Sequence, residues 1–288
     1  DGTRNIAMGT YSLSVNCADD NVAIGYYALN ASTASDNVAI GSYALQQHTT
    51  GARNIAIGYG SMDGTAANDC PTSLDNIFIG YDAGGGTWTT NDSNYNVSIG
   101  NYSMDAAMNG ALNNVALGHY ALSSITTGSD NIGLGSSAGL LITTGDNNVT
   151  IGRLAGDAIT TGNNNVVIGY DSGGTMTTQD EMVFVGHQAG AAVNNDNSDG
   201  MVAVGYQAGQ AATINQQYSV FVGKQAGHNV LDSEKSTMIG YYTGALLGGD
   251  AADNNTFVGT SAGASGSYTA NDNTANNNVG IGVNALGG

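Results

Sequence analysis

Positive charge is nearly absent from this sequence. Lysine and arginine together number five against 23 aspartate and glutamate residues, which gives a formal net charge of −18. A surface this acidic repels the phosphates of nucleic acids and the headgroups of anionic lipids. We therefore expect no nucleic-acid partner, and the acidic composition favours a soluble, extracellular protein.

Cysteine and long apolar runs are equally scarce. The two cysteines, Cys17 and Cys70, do not form a C-x-x-C pair, which excludes the common zinc and redox motifs. No apolar segment reaches the ~20 residues that a membrane helix requires, so membrane insertion is not expected. The four histidines are scattered, and none has a partner at metal-ligand spacing. The sequence therefore predicts neither a bound metal nor a cofactor.

Bulky aromatic core residues are few, with four phenylalanines and one tryptophan, whereas glycine occurs 44 times. Sixteen of the glycines anchor a repeat that covers the whole chain, mostly at spacings of 16 to 19 residues. We call each anchored copy a rung and number its positions from the anchor glycine, which is slot 0. The anchors are Gly9, Gly25, Gly41, Gly58, Gly80, Gly100, Gly118, Gly135, Gly152, Gly169, Gly186, Gly205, Gly223, Gly240, Gly259 and Gly282.

The slots before the anchor are nearly invariant. Slot −1 is apolar and slot −3 is Val, Ile or Thr in all 16 rungs, while slot −4 is Asn in 12 of them. Such segments are too short for a helix and rich in β-formers. Glycine at slot 0 indicates a corner where φ is positive or where close packing excludes a Cβ. We assign this structural role to Gly25, Gly41, Gly58, Gly80, Gly152 and Gly169.

The repeat predicts an all-β fold, a parallel β-solenoid of about 16 coils. Each rung would form a short strand, a corner and a polar return loop. Rungs stacked at ~4.8 Å place like residues on one another, so the asparagines of slot −4 are expected to form a ladder. The chain opens and closes inside a rung, and we interpret residues 1–288 as a single repeat domain from a longer fibrous protein.

A second apolar face on the strands predicts self-association. Slots −3 and −1 point to one side, which we assign to the interior of the coil, and slot −2 points to the other side. Slot −2 carries no charge in any rung, and it holds all four phenylalanines: Phe78, Phe184, Phe221 and Phe257. A strand that is apolar on both faces is covered on both faces. We therefore predict a homotrimer with these phenylalanines at its interface. The alternative is a wide single-chain β-helix with both faces internal.

Two families carry similar repeats. Residues 21–29 (NVAIGYYAL), 37–45 (NVAIGSYAL) and 54–58 (NIAIG) resemble the head repeats of trimeric autotransporter adhesins. Thr-Thr-Gly triplets at 49–51, 126–128, 143–145 and 160–162 add a likeness to the shaft repeats of bacteriophage tail fibres. The resemblance implies a left-handed β-roll that trimerises, and the handedness rests on the resemblance alone. Met182, Met201, Ser219 and Ser236 replace the slot −4 asparagine. These replacements depart from the adhesin pattern and favour the tail fibre.

Catalytic patterns do not stand out. The carboxylate pairs Asp180/Glu181 and Asp232/Glu234 lie in short polar loops, which is more typical of solvated turns than of a glycosidase pair held across a cleft. Residues 195–200 (NDNSDG) loosely resemble a calcium loop, but Tyr206 stands where the closing glutamate belongs. We predict that the chain is not an enzyme.

Ligand binding through loops remains a candidate function. Trp88 lies in a glycine-rich insertion that Tyr95 closes, and Tyr268 lies in the longest insertion of the repeat. Aromatic side chains in such loops bind sugars and receptors, so these three residues are candidate contacts for a host surface glycan or receptor. Another 12 tyrosines follow an anchor glycine by one or two positions, which is more typical of a stacked ladder than of a ligand site.

These patterns together predict a structural fibre shaft of the phage tail-fibre type, which holds a host-binding tip away from the virion. The alternative is a trimeric adhesin head on a cell surface that binds host glycan or matrix through its loops.

Overall fold

The repeat forms an all-β, parallel β-solenoid in a computed structural model. The structure describes residues 2–15, 17–64, 72–89, 91–194, 198–211, 216–230, 232–245, 253–264 and 276–287. The chain divides into two compact units, Asp1–Asp146 and Asn147–Gly288, and the single domain over residues 1–288 stays a prediction. None of the described residues belongs to a helix that could span a lipid bilayer.

Among the described residues, each unit contains eight strands of three residues, and each strand occupies slots −3 to −1 of its rung. The first unit contains β1 (Ile6–Met8), β2 (Val22–Ile24), β3 (Val38–Ile40), β4 (Ile55–Ile57), β5 (Ile77–Ile79), β6 (Val97–Ile99), β7 (Val115–Leu117) and β8 (Ile132–Leu134). The second contains β9 (Val149–Ile151), β10 (Val166–Ile168), β11 (Val183–Val185), β12 (Val202–Val204), β13 (Val220–Val222), β14 (Thr237–Ile239), β15 (Thr256–Val258) and β16 (Val279–Ile281).

Strand pairing is parallel and has the same register throughout each unit. In the first unit, residues at the same slot of neighbouring rungs pair with each other. For example, Val22, Ala23 and Ile24 pair with Val38, Ala39 and Ile40. The second unit repeats the arrangement, so that Phe184 of β11 lies between residues of slot −2 in β10 and β12. Like residues therefore form columns, as the sequence predicts.

The anchor glycines end the strands for two physical reasons, and Gly169 shows both. Its φ of 133° is a conformation that side-chain-bearing residues rarely adopt. A Cβ added to it would lie less than 3.0 Å from the carbonyl oxygen of Gly186 in the next rung. The predicted corner role is confirmed for Gly25, Gly41, Gly58, Gly80, Gly152 and Gly169, which share the positive φ and the close carbonyl.

The predicted asparagine ladder of slot −4 is also confirmed. Asn114 is buried, and its Oδ1 accepts hydrogen bonds from the backbone N–H and the side-chain Nδ2 of Asn131. Its own Nδ2 donates to Asn96 Oδ1 at 3.1 Å and to the Gly128 carbonyl at 2.9 Å. Each side chain thus satisfies buried backbone groups of neighbouring rungs, which would otherwise carry a desolvation cost.

The assignment of the two strand faces is wrong, because slot −2 faces the interior of the coil. Ala23, Ala116 and Val167 at this slot are fully buried. Their aliphatic neighbours at slots −3 and −1 are partly or fully exposed in every strand. Period-two alternation separates the faces but does not identify which of them is inside.

The predicted interface residues therefore belong to the core of the single chain. Phe78, Phe184 and Phe221 are fully buried, and Phe257 is 3% exposed. Each phenylalanine ring occupies space left by a glycine at slot +4 of its own rung, and a Cβ on Gly190 would meet the ring of Phe184. Where slot −2 is alanine, slot +4 is often large, as in the pair Ala116 and Leu122. The two slots thus fill one small interior volume between them.

Candidate functional site

The largest candidate site is the outward face of the strands, formed by slots −3 and −1. Thirty of its 32 residues are apolar, and the other two are Thr237 and Thr256. Interior rungs still leave substantial area uncovered, with Val115 at 40% and Leu117 at 45% exposure. We call this surface the aliphatic face, and each unit carries its own eight-rung stretch of it.

The aliphatic face of each unit is as large as the largest apolar patch on a typical monomer. Eight rungs at ~4.8 Å and three residues at ~3.3 Å give roughly 400 Å² in each unit. The largest apolar patch on a whole typical monomer is about 300–600 Å² and often functional. No residue of the face is charged, so no ionised side chain interacts with water there.

A second surface feature, the column of aromatic residues at slots +1 and +2, lies directly across the glycine corner. In the first unit, Tyr59 and Tyr81 stack with ring centroids 5.3 Å apart and planes 9° apart. Tyr102 and Tyr120 stack at 5.1 Å and 12°. The predicted tyrosine ladder is confirmed in these rungs. In the stacked pairs the ring faces cover one another, whereas other successive pairs, such as Tyr81 and Tyr102, meet edge to face.

Trp88 is not a surface residue, so its predicted role as a ligand contact is wrong. The indole is fully buried, lies edge-on to Phe78 at 5.5 Å, and donates its Nε1–H to the Gly84 carbonyl at 3.0 Å. It fills the interior at slot +8 of its rung, as Met108 does in the following rung. The insertion that carries Trp88 therefore adds to the core.

The other two predicted ligand contacts do not join Trp88 in a site. Tyr95 is 56% exposed and adopts a left-handed conformation with φ of 61°, at slot −5 of its rung. Tyr268 lies outside the described residues. Residues 195–197 of the calcium-like loop also lie outside them. Among the parts of the chain that the structure describes, no group of three or more His, Cys, Asp or Glu side chains could hold a metal ion.

Carboxylates do cluster beside one corner of the first unit. Burial, followed by the charge of Asp82, raises the pKa of the Asp63 carboxyl to about 6. Burial also raises the pKa of Asp82 and of Asp105. In contrast, a hydrogen bond from Arg53 lowers the pKa of Asp75. The raised pKa values identify carboxyl groups that the stacked rungs partly exclude from water.

Protonation of Asp63 is expected to stabilise the fold. Between pH ~4 and ~6 the folded chain binds more protons at Asp63 than the unfolded chain, so the free energy of unfolding falls as pH rises through this window. A shift of this size corresponds to at most about 3 kcal/mol, and screening of the half-buried group reduces the expected effect to about 1 kcal/mol. Urea denaturation at several pH values measures it.

The variant Asp63→Asn should flatten this pH dependence. Asp75→Asn is the matched control, because the lowered pKa of Asp75 affects stability only below pH ~4. An unchanged slope between pH 4 and 6 in Asp63→Asn would contradict the assignment.

Comparison with models of known protein families gave no match, and comparisons with curated proteins and with solved structures gave none either.

Proposed function

We propose that the chain is a segment of a trimeric, extracellular fibre shaft, of the tail-fibre type that holds a host-binding tip away from a virion. The aliphatic face carries this proposal. It is uncharged in every strand, apolar at 30 of its 32 positions, and faces outward, whereas the interior of the coil is already filled by slots −2, +3 and +4. A sheet with two apolar faces is stable in water when both are covered.

The periodicity of the aliphatic face supports a second copy of the same chain as its cover. The columns advance by one strand spacing per rung, and every rung presents the side chains of slots −3 and −1 to the outside. A partner that fits such a surface along its length needs the same spacing, which a parallel copy in register supplies. Cyclic symmetry then closes the contact, and three copies around one axis bury one face each.

The small interior of the coil supports a mechanical role. Side chains within the coil come from residues such as Ala28 and Ala44, so each rung depends on its neighbours for stability. Backbone hydrogen bonds connect every rung to the next within each unit, and the asparagine ladder adds side-chain bonds where slot −4 is asparagine. Such stacking gives stiffness without a thick core.

The alternative function, a cell-surface adhesin head, relied on Trp88 as a ligand contact, and Trp88 is buried. Tyr95 remains exposed, but it lies in the slot −5 column, where Arg53 pairs with Asp75, and not in a recess. The shaft therefore has the stronger support.

A charged residue on the aliphatic face should dissociate the assembly without unfolding the coil. In Val185→Asp, a carboxylate on the outward side would be buried against the neighbouring copy, which costs several kcal/mol. The side chain can stay solvated in a separated chain. Sedimentation velocity is expected to show one assembled species for the unmodified chain and a single-chain species for the variant.

The matched control is Gln188→Glu, which places the same charge on the same rung beyond the glycine corner. It should sediment as the unmodified chain does. If Val185→Asp and the unmodified chain have the same sedimentation coefficient, the aliphatic face is not where copies meet.

A further inference from the structure

One column of the second unit differs from the tyrosine ladder of the first because it contains cations. Its members occupy slot +1 of successive rungs, and all are exposed. They are Arg153, Tyr170, His187, Tyr206, Lys224 and Tyr241. Slot +1 of the first unit holds no lysine or arginine. We call these six residues the basic column.

The two cations of the basic column have no carboxylate partner among the described residues. Arg4, Arg53 and Lys235 each form an ion pair with an aspartate or glutamate. Arg153 instead lies over the ring of Tyr170 at 5.5 Å, and Lys224 lies over Tyr206 at 5.6 Å. In a chain with a net charge of −18, two cations held away from carboxylates are available for an external anion.

A recess of about 460 Å³ opens beside Lys224, lined by Tyr206, Gln207, Lys224 and Gln225. Gln225 Nε2 donates to Gln207 Oε1 at 3.1 Å, and Gln207 Nε2 donates to Gln188 Oε1 at 3.0 Å. A primary amide has two N–H groups, so each of these ladder donors keeps a second hydrogen for a ligand. The recess thus combines an ammonium, amide donors and a tyrosine hydroxyl.

We propose that the basic column binds an acidic polysaccharide that carries carboxylates along an extended chain. Lys224 would bind a carboxylate in the recess, and Arg153 would bind another one four rungs away, at roughly 19 Å for ~4.8 Å per rung. The hydroxyl groups of Tyr170 and Tyr206 and the glutamine amides supply hydrogen bonds to sugar hydroxyls between the two charges.

The geometry favours an anionic glycan over a neutral one. Neutral sugars bind through stacking on open aromatic faces, but His187 and Tyr206 cover each other at 5.1 Å and 17°, and Lys224 Nζ also lies over the Tyr206 ring at 5.6 Å. Asp171 is the carboxylate nearest in sequence to the column, and it accepts a hydrogen bond from Gln188 Nε2 at 3.1 Å. The ligand class therefore follows from charge and hydrogen bonding.

Titration calorimetry of the whole chain with polygalacturonate oligomers tests the proposal. Lys224→Gln removes one charge-assisted hydrogen bond to a carboxylate, so Kd is expected to rise at least about tenfold. Arg153→Gln should act in the same direction. Lys235→Gln is the matched control, because Lys235 already pairs with Glu234, and it should leave Kd unchanged.

A methyl-esterified polygalacturonate, which keeps the sugar but masks the carboxylates, should not bind. Equal binding of the esterified polymer, equal loss in Lys224→Gln and Lys235→Gln, or no binding by the unmodified chain would each overturn the proposal. A changed sedimentation coefficient in Lys224→Gln would place the column in the contact between copies and would also contradict it. The fibre proposal is tested separately by Val185→Asp.

Discussion

Alanine in place of Gly169 is expected to destabilise the second unit by more than about 4 kcal/mol. The φ of 133° at this position is strained for any residue with a Cβ. The new methyl group would also contact the carbonyl of Gly186, which is backbone held by the rung stack and cannot move aside. Both effects act on folding, so a lower urea midpoint and loss of the β-sheet circular dichroism signal at moderate denaturant are expected.

Gly174→Ala is a matched control five residues away. Its added Cβ would meet the end of the Asp171 side chain, which can rotate, and its backbone is outside the left-handed region. The control should therefore change the free energy of unfolding by less than about 1 kcal/mol. Similar effects of the two alanines would mean that the anchor corner is not under backbone constraint.

The second large effect is expected from the pair Phe184 and Gly190. Phe184→Ala opens a cavity in a fully buried position, which typically costs about 3–5 kcal/mol. Gly190→Leu alone places a side chain where the Phe184 ring lies, and it should be at least as damaging. Together the two changes recreate the pair Ala116 and Leu122, where leucine adopts a φ of 48°.

The double variant should therefore be more stable than either single variant. Thermal and urea denaturation of the four proteins give the coupling free energy, which is expected to exceed about 2 kcal/mol in favour of the double variant. Additive losses would show that slots −2 and +4 do not share one interior volume.

The strands and corners follow directly from local sequence. Asn, Val and Ile before an anchor such as Gly25 predict a short strand, and a glycine at every corner predicts a positive φ. The same residue types recur at the same slots of every rung, and this predicts the register between strands. Only parallel, in-register stacking places Asn96, Asn114 and Asn131 in one ladder. These features depend on residues that are close in sequence or repeated regularly.

Which face of each strand points into the coil depends on residues that are farther apart in sequence. The alternation of side chains along a strand shows that Val183 and Phe184 face opposite sides. It does not show which of the two sides is the interior of the coil. The side-chain sizes at slots −2 and +4 indicate which side is inside, because every Phe at slot −2 is followed by Gly at slot +4. A comparison of the two slots across rungs predicts that they meet inside the coil.

The basic column was not predictable from sequence motifs. Arg153 and Lys224 are far apart in sequence, and no local pattern connects them. Their places in one column, four rungs apart, follow only when the register of five rungs is known. Trp88 illustrates the opposite case, because an unusual residue in an irregular loop attracts attention but here fills a core slot that Met108 fills in the following rung.

Sedimentation equilibrium of the unmodified chain tests most directly whether the outward aliphatic columns join copies of this protein. We expect a single species with three times the 29.0 kDa mass of the chain, stable on dilution. A species of 29.0 kDa that persists at high protein concentration would contradict it, because the apolar columns would then be stable in water without a partner.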